Sequence, residues 1–121
     1  MRLKGKRCIV TGGASGIGEA TVRRFVAEGA EVLIADINLA GAQALASELG
    51  PAVTAVKCDA RQEADVQQVA SAAFERWDNV DVLVNNAGIE LSKTYEDTTI
   101  DEWSSVIDTN LRGPWLFCKY I

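Results

Sequence analysis

The chain has 121 residues, 48% hydrophobic and 24% charged, enough for one domain, residues 1–121, that buries roughly two-thirds of its unfolded surface. A formal net charge of −5, with the only basic cluster at Arg2-Leu3-Lys4-Gly5-Lys6-Arg7, argues against a nucleic-acid surface and leaves that cluster as a solvated lead-in. The absence of histidine removes His-based triads, His metal sites and His acid–base catalysis.

The apolar run after the basic start is broken by Thr11-Gly12-Gly13, too early for a signal-peptide core, and no stretch approaches membrane-spanning length. Cys8, Cys58 and Cys118 are odd in number, far apart and free of any Cys-x-x-Cys spacing. They predict reduced core thiols, no metal site and a cytoplasmic protein.

Arg7-Cys8-Ile9-Val10 reads as a buried strand. It runs into Thr11-Gly12-Gly13-Ala14-Ser15-Gly16-Ile17-Gly18, which opens a helix over 16–28 carrying Ile17, Thr21, Val22, Phe25 and Val26 on its apolar side. Glycines between a strand and a helix N-terminus suit a phosphate, because the backbone approaches closely and the first-turn N–H groups are unpaired. The spacing Gly12-x-x-x-Gly16-x-Gly18 differs from Gly-x-Gly-x-x-Gly, and no Gly-Lys-Ser/Thr follows as in a Walker loop. Alone, the stretch fits a flexible turn equally well.

Gly29 ends the first helix, and Glu31 to Ala35 forms a second strand closed by Asp36. That acid lies about 20 residues past the glycine turn, where a dinucleotide fold places the acceptor for the adenosine ribose. No Arg or Lys stands at Ile37 or within the turn to neutralise a 2′-phosphate, so NAD is expected over NADP. Asn38 can cap the alanine-rich helix over 39–49, which Gly50-Pro51 stops. Strand Val53–Lys57 leads to Cys58-Asp59-Ala60. A third helix over about 62–77 turns Val66, Val69, Ala70, Ala73, Phe74 and Trp77 to one side. The strand over 80–84 then leads into Asn85-Asn86-Ala87-Gly88.

Strands alternating with helices predict an α/β, Rossmann-like, doubly wound parallel sheet of four strands in the order 3-2-1-4. In such sheets ligands sit outside the carboxyl ends of the strands. The glycine turn, Asp36, Asp59 and Asn85 to Gly88 all fall on that edge, which selects the phosphate reading over the flexible turn.

These residues resemble the short-chain dehydrogenase/reductase family over the whole chain. Thr11 to Gly18 is similar to its cofactor motif and Asn85 to Gly88 to its second signature. The resemblance implies NAD contacts at Gly12, Ser15, Gly16, Ile17, Gly18, Asp36 and Ile37, with Asp59 and Ala60 flanking the adenine. It places Asn86, Ala87 and Gly88 beside the adenosine.

Thr99-Ile100-Asp101-Glu102 is a capping box that starts a last helix. Asp108-Thr109-Asn110-Leu111-Arg112-Gly113 resembles the family segment supplying an active-site asparagine, here Asn110, whose carbonyl holds a water near the catalytic lysine. Pro114 lacks an N–H, so that carbonyl loses its helical partner; kinking the helix is the alternative reading of Gly113-Pro114. The family's serine and Tyr-x-x-x-Lys pair are missing, since neither Tyr95 nor Tyr120 has a lysine four residues on.

The sequence therefore reads as the truncated, cofactor-binding half of an NAD-dependent alcohol or carbonyl oxidoreductase acting on a small molecule. A non-catalytic nucleotide-binding or oligomerisation module of the same fold is the alternative. Trp103, Trp115, Leu116 and Phe117 on the last helix, together with the apolar fourth strand as an open edge, predict a homo-oligomer.

Overall fold

The sheet of the computed structural model, which describes residues 1–121, consists of β1 (Arg7–Thr11), β2 (Glu31–Asp36), β3 (Val53–Lys57) and β4 (Val82–Val84). All pairings are parallel and the order is β3-β2-β1-β4, as the alternation of strands and helices predicts. Cys8-Ile9-Val10 and Val32 to Ala35 are continuously buried, the pattern of parallel strands covered on both faces.

Alternate residues serve opposite faces. Cys8, Val10, Val32 and Ile34 meet Val22 of α1 (Gly16–Ala27) and Ala42 and Leu45 of α2 (Leu39–Leu49). Ile9, Leu33 and Ala35 meet Val66, Val69 and Ala73 of α3 (Glu63–Arg76) and, from the last helix, Leu116 and Phe117. The register pairs Thr11 with Ala35 and Asp36 with Lys57, so the strands' polar ends align at one edge.

Several expectations change in detail. Ile17, at the exposed start of α1, is 80% accessible and outside the core, and Phe74 of α3 is 45% accessible. Helix α3 is one residue shorter at each end than expected, with Gln62 and Trp77 as its caps. Trp77 stays buried and donates its indole N–H to Glu31 Oε2 at 2.9 Å. Strand β4 begins at Val82 rather than residue 80, because the Asp81 carboxylate turns back to accept from the Arg7 N–H and Lys6 Nζ. The basic lead-in is tied down there and at Glu28, which accepts from the Arg2 N–H. Cys8 and Cys58 are core thiols, whereas Cys118 is exposed on the last helix.

The final segment is three pieces instead of one helix. Both bonds of the Thr99/Glu102 capping box start α4 (Ile100–Ile107). A π-helical turn, Asp108–Arg112, follows, and then α5 (Gly113–Tyr120). The Gly113 N–H reaches back five residues to the Asp108 carbonyl. Asn110, four residues before Pro114, lies within this wider turn, which accommodates the missing proline N–H.

Candidate functional site

A cavity of about 380 Å³ opens where the carboxyl ends of β1 to β4 meet α5. Its wall brings together Gly12, Ser15, Asp36, Ile37, Asp59, Ala60, Asn86, Ala87 and Gly88, nine of the residues singled out in the sequence. Gly16, Ile17, Gly18 and Asn110 stand outside this wall.

The start of the glycine turn is fixed to the end of β4. Thr11 Oγ1 accepts from the N–H groups of Asn86 and Ala87, both at 2.9 Å, and donates to the Val84 carbonyl at 3.3 Å. The Asn86 side-chain amide donates to the carbonyls of Thr11 and Gly12 at 3.0 and 3.1 Å. Gly12 has φ +64°, and a Cβ there would lie 3.0 Å from Ala87 Cα. Gly18 is a packing glycine: its Cβ would fall 2.0 Å from the Gly12 carbonyl oxygen, so no side chain fits between α1 and the turn.

Ser15 precedes α1 in extended conformation and makes no side-chain cap bond. The first-turn amides at Gly16, Ile17 and Gly18 therefore receive no cap from their N-cap side chain, leaving donors and the positive helix end for an anion.

Asp36 is 8% accessible. Its carboxylate accepts from the Ala14 N–H at 2.9 Å and the Asn38 N–H at 2.8 Å. Two donors occupy two of about four lone-pair sites, so further donors can be accepted from the cavity. Asn38 also caps α2 by accepting from the Gly41 N–H.

Asp59 is held differently. Its Oδ1 accepts from the Arg61 backbone N–H at 3.0 Å, and Arg61 Nη2 lies 2.7 Å from Oδ2. The guanidinium holds the Asp59 carboxyl below its usual range. Burial pushes Cys58, also on the cavity wall, up to about 12.

Asn110 pairs its side-chain amide with the backbone of Ile89: Nδ2 donates to the Ile89 carbonyl and Oδ1 accepts from the Ile89 N–H, each at 2.8 Å. The side chain thus fixes the segment after Gly88.

The model of a family described as short chain dehydrogenase matches residues 6–121. The chain belongs to the short-chain dehydrogenase family. It is 40% identical over its full length to the galactitol 2-dehydrogenase of Agrobacterium fabrum, of which it covers 47%. It is 39% identical over 113 residues to the sorbitol dehydrogenase of Cereibacter sphaeroides, covering 93% of this chain and 44% of that one. The crystal structure of a 3-ketoacyl-(acyl-carrier-protein) reductase from Brucella melitensis complexed with NADH superposes with TM-score 0.93 at 40% identity, covering 97% of this chain and 49% of that one. The chain spans less than half the length of these two curated dehydrogenases.

The short-chain dehydrogenase fold also recruits wall residues that the sequence reading passed over: Ala35, Cys58, Arg61, Ile89, Thr109 and Phe117. Arg61 carried a usable signal, since it stands two residues after an acid at a strand end. Phe117, expected with Leu116 on an uncovered face of the last helix, is instead buried with it in the core, because the turn at Asp108–Arg112 brings that side of α5 against α3.

Proposed function

We propose that this chain is the cofactor-binding half of an NAD-dependent oxidoreductase that moves a hydride between nicotinamide and an alcohol or carbonyl carbon of a small molecule. The observation that carries the reading is the Asp36 carboxylate, buried at the cavity wall and oriented by the Ala14 and Asn38 N–H groups. It suits the two ribose hydroxyls of an adenosine, and its negative charge opposes a 2′-phosphate. The likeness to a reductase crystallised in complex with NADH supports the same cofactor class.

On this reading Gly12, Ser15 and the first-turn amides at Gly16, Ile17 and Gly18 hold the pyrophosphate. Asp36 and Ile37 take the adenosine ribose, Asp59 and Ala60 flank the adenine, and Asn86, Ala87 and Gly88 line the adenosine side. NAD supplies the hydride chemistry when bound. Asn110 positions the strand end through Ile89, and its backbone carbonyl holds a water. The serine and Tyr-x-x-x-Lys pair that the family resemblance implies do not occur in these 121 residues, so the chain binds the cofactor without completing the proton transfer.

Titration of NADH followed by cofactor fluorescence tests this: saturable binding with no loss of NADH when a carbonyl compound is added is the expected result, and no binding contradicts it. The buried thiols Cys8 and Cys58 suit a reducing cytoplasm. A nucleotide-binding module working as an assembly unit is the second reading, favoured by the accessible Ile100, Trp103, Leu111 and Trp115. Intact mass of the native protein separates the two.

A further inference from the structure

Asp59 and Arg61 form an ion pair on the cavity wall. Arg61 folds back over Asp59: its backbone N–H donates to Oδ1 at 3.0 Å, Nη2 to Oδ2 at 2.7 Å, and Nε to both oxygens at 3.0 and 3.2 Å. The guanidinium is itself held in place, with Nη1 reaching Ser105 Oγ of α4 at 3.2 Å. The Arg61 carbonyl accepts from Arg112 Nη2 at 2.9 Å, and Gly113 closes on Ala60, where a Cβ would lie 3.1 Å from the alanine's. The loop is thus fixed from the helix side as well as from within.

We infer that Arg61 is a positioning residue that makes the pocket selective for the 6-amino group of adenine, acting through Asp59. The inference rests on the proposed NAD site. A carboxylate offers about four lone-pair sites. The Arg61 backbone N–H, Nε–H and Nη2–H fill three, with Nε–H shared between the two oxygens, and one is left. Both residues line the cavity. The remaining site accepts one N–H, as the 6-amino group provides. A 6-oxo group in its place brings oxygen lone pairs against a carboxylate that the guanidinium prevents from turning away. Arg61 sets the selectivity without being the group that touches the base.

The test uses the 121-residue chain and two dinucleotides, NAD and its hypoxanthine analogue, in which a 6-oxo group replaces the amine. Calorimetric Kd values are compared for wild type, Arg61→Met, Arg61→Lys and Ser105→Ala, with circular dichroism reporting the fold. Wild type should prefer NAD by about tenfold, the worth of one hydrogen bond to a charged group. Arg61→Met should bring the two Kd values within about twofold, chiefly by improving the analogue's affinity, and Arg61→Lys should recover part of the preference. An Arg61→Met protein that keeps the wild-type ratio, or that weakens both ligands equally, overturns the inference. Should Arg61→Met fail to fold, Ser105→Ala decides, since it frees one end of the guanidinium: a reduced ratio supports the inference and an unchanged ratio overturns it. Wild type that binds neither dinucleotide overturns the proposed cofactor site, and this inference with it.

Discussion

At the scale of single residues the site depends on close approach more than on charge. Gly18 lets α1 sit against the Gly12 carbonyl, and a methyl group there would overlap it at 2.0 Å. Gly18→Ala should cost about 2 kcal/mol in chemical denaturation, as overpacking does, and should weaken NAD binding; unchanged stability would mean that the turn yields. The buried thiols give a pH signature. Cys8 and Cys58 ionise from 9.0 in the unfolded chain but only near 11 and about 12 when folded, because burial disfavours the thiolate. The folded state therefore retains protons that the unfolded state has released. Their contribution is fully present below pH 9.0 and declines above it, by about 1.4 kcal/mol per pH unit for each thiol. Urea midpoints between pH 8 and 11 check this, and Cys58→Ala should show a shallower decline. Gly12 and Asp36 were legible as single residues because their neighbours in sequence, a strand before and a helix after, define their place. Arg61 was legible only by its place two residues after Asp59, since its bonds to Asp59 and Ser105 depend on a loop conformation that no periodicity encodes.

At the scale of elements, the termini were readable where side chains act locally. The Thr99/Glu102 box and the Asn38 cap both form. Thr99→Ala should destabilise the chain by about 1 kcal/mol, measured as a shift in thermal midpoint; no shift would indicate that α4 is held by packing instead. The π-helical turn was less legible. Pro114 announces a break at the right place, yet whether the break becomes a kink, an end or a wider turn depends on what lies opposite. Here Gly113 meets Ala60, and Asn110 meets Ile89. Asn110→Ala removes both bonds to Ile89 and should cost about 1–2 kcal/mol, with faster amide exchange at Ile89. Exchange at wild-type rates would show that those bonds do not hold the strand end. Strand β4 came out two residues short for a similar reason. Asp81 looks like a strand residue in sequence, but its carboxylate is taken by Lys6 and the Arg7 N–H.

At the scale of the whole molecule the sheet order follows from strand–helix alternation, right-handed crossovers and the need to cover both faces of a parallel sheet. How the last helices sit does not, because it turns on contacts between α3 and α5, such as the Tyr120 hydroxyl donating to Glu63. The accessible apolar residues Ile100, Trp103, Leu111 and Trp115, with β4 at a sheet edge, predict self-association of this chain. Light scattering should give a dimer or larger, and Trp103→Asp should lower the mass; a monomer at all concentrations contradicts this.

On the proposed reading the strand-end cavity holds NAD through the glycine turn and Asp36. Calorimetric titration of NAD and NADP into wild type and Asp36→Ala tests it most directly. Wild type should bind NAD more tightly than NADP, and Asp36→Ala should lose that preference. Equal affinity of wild type for the two would contradict it.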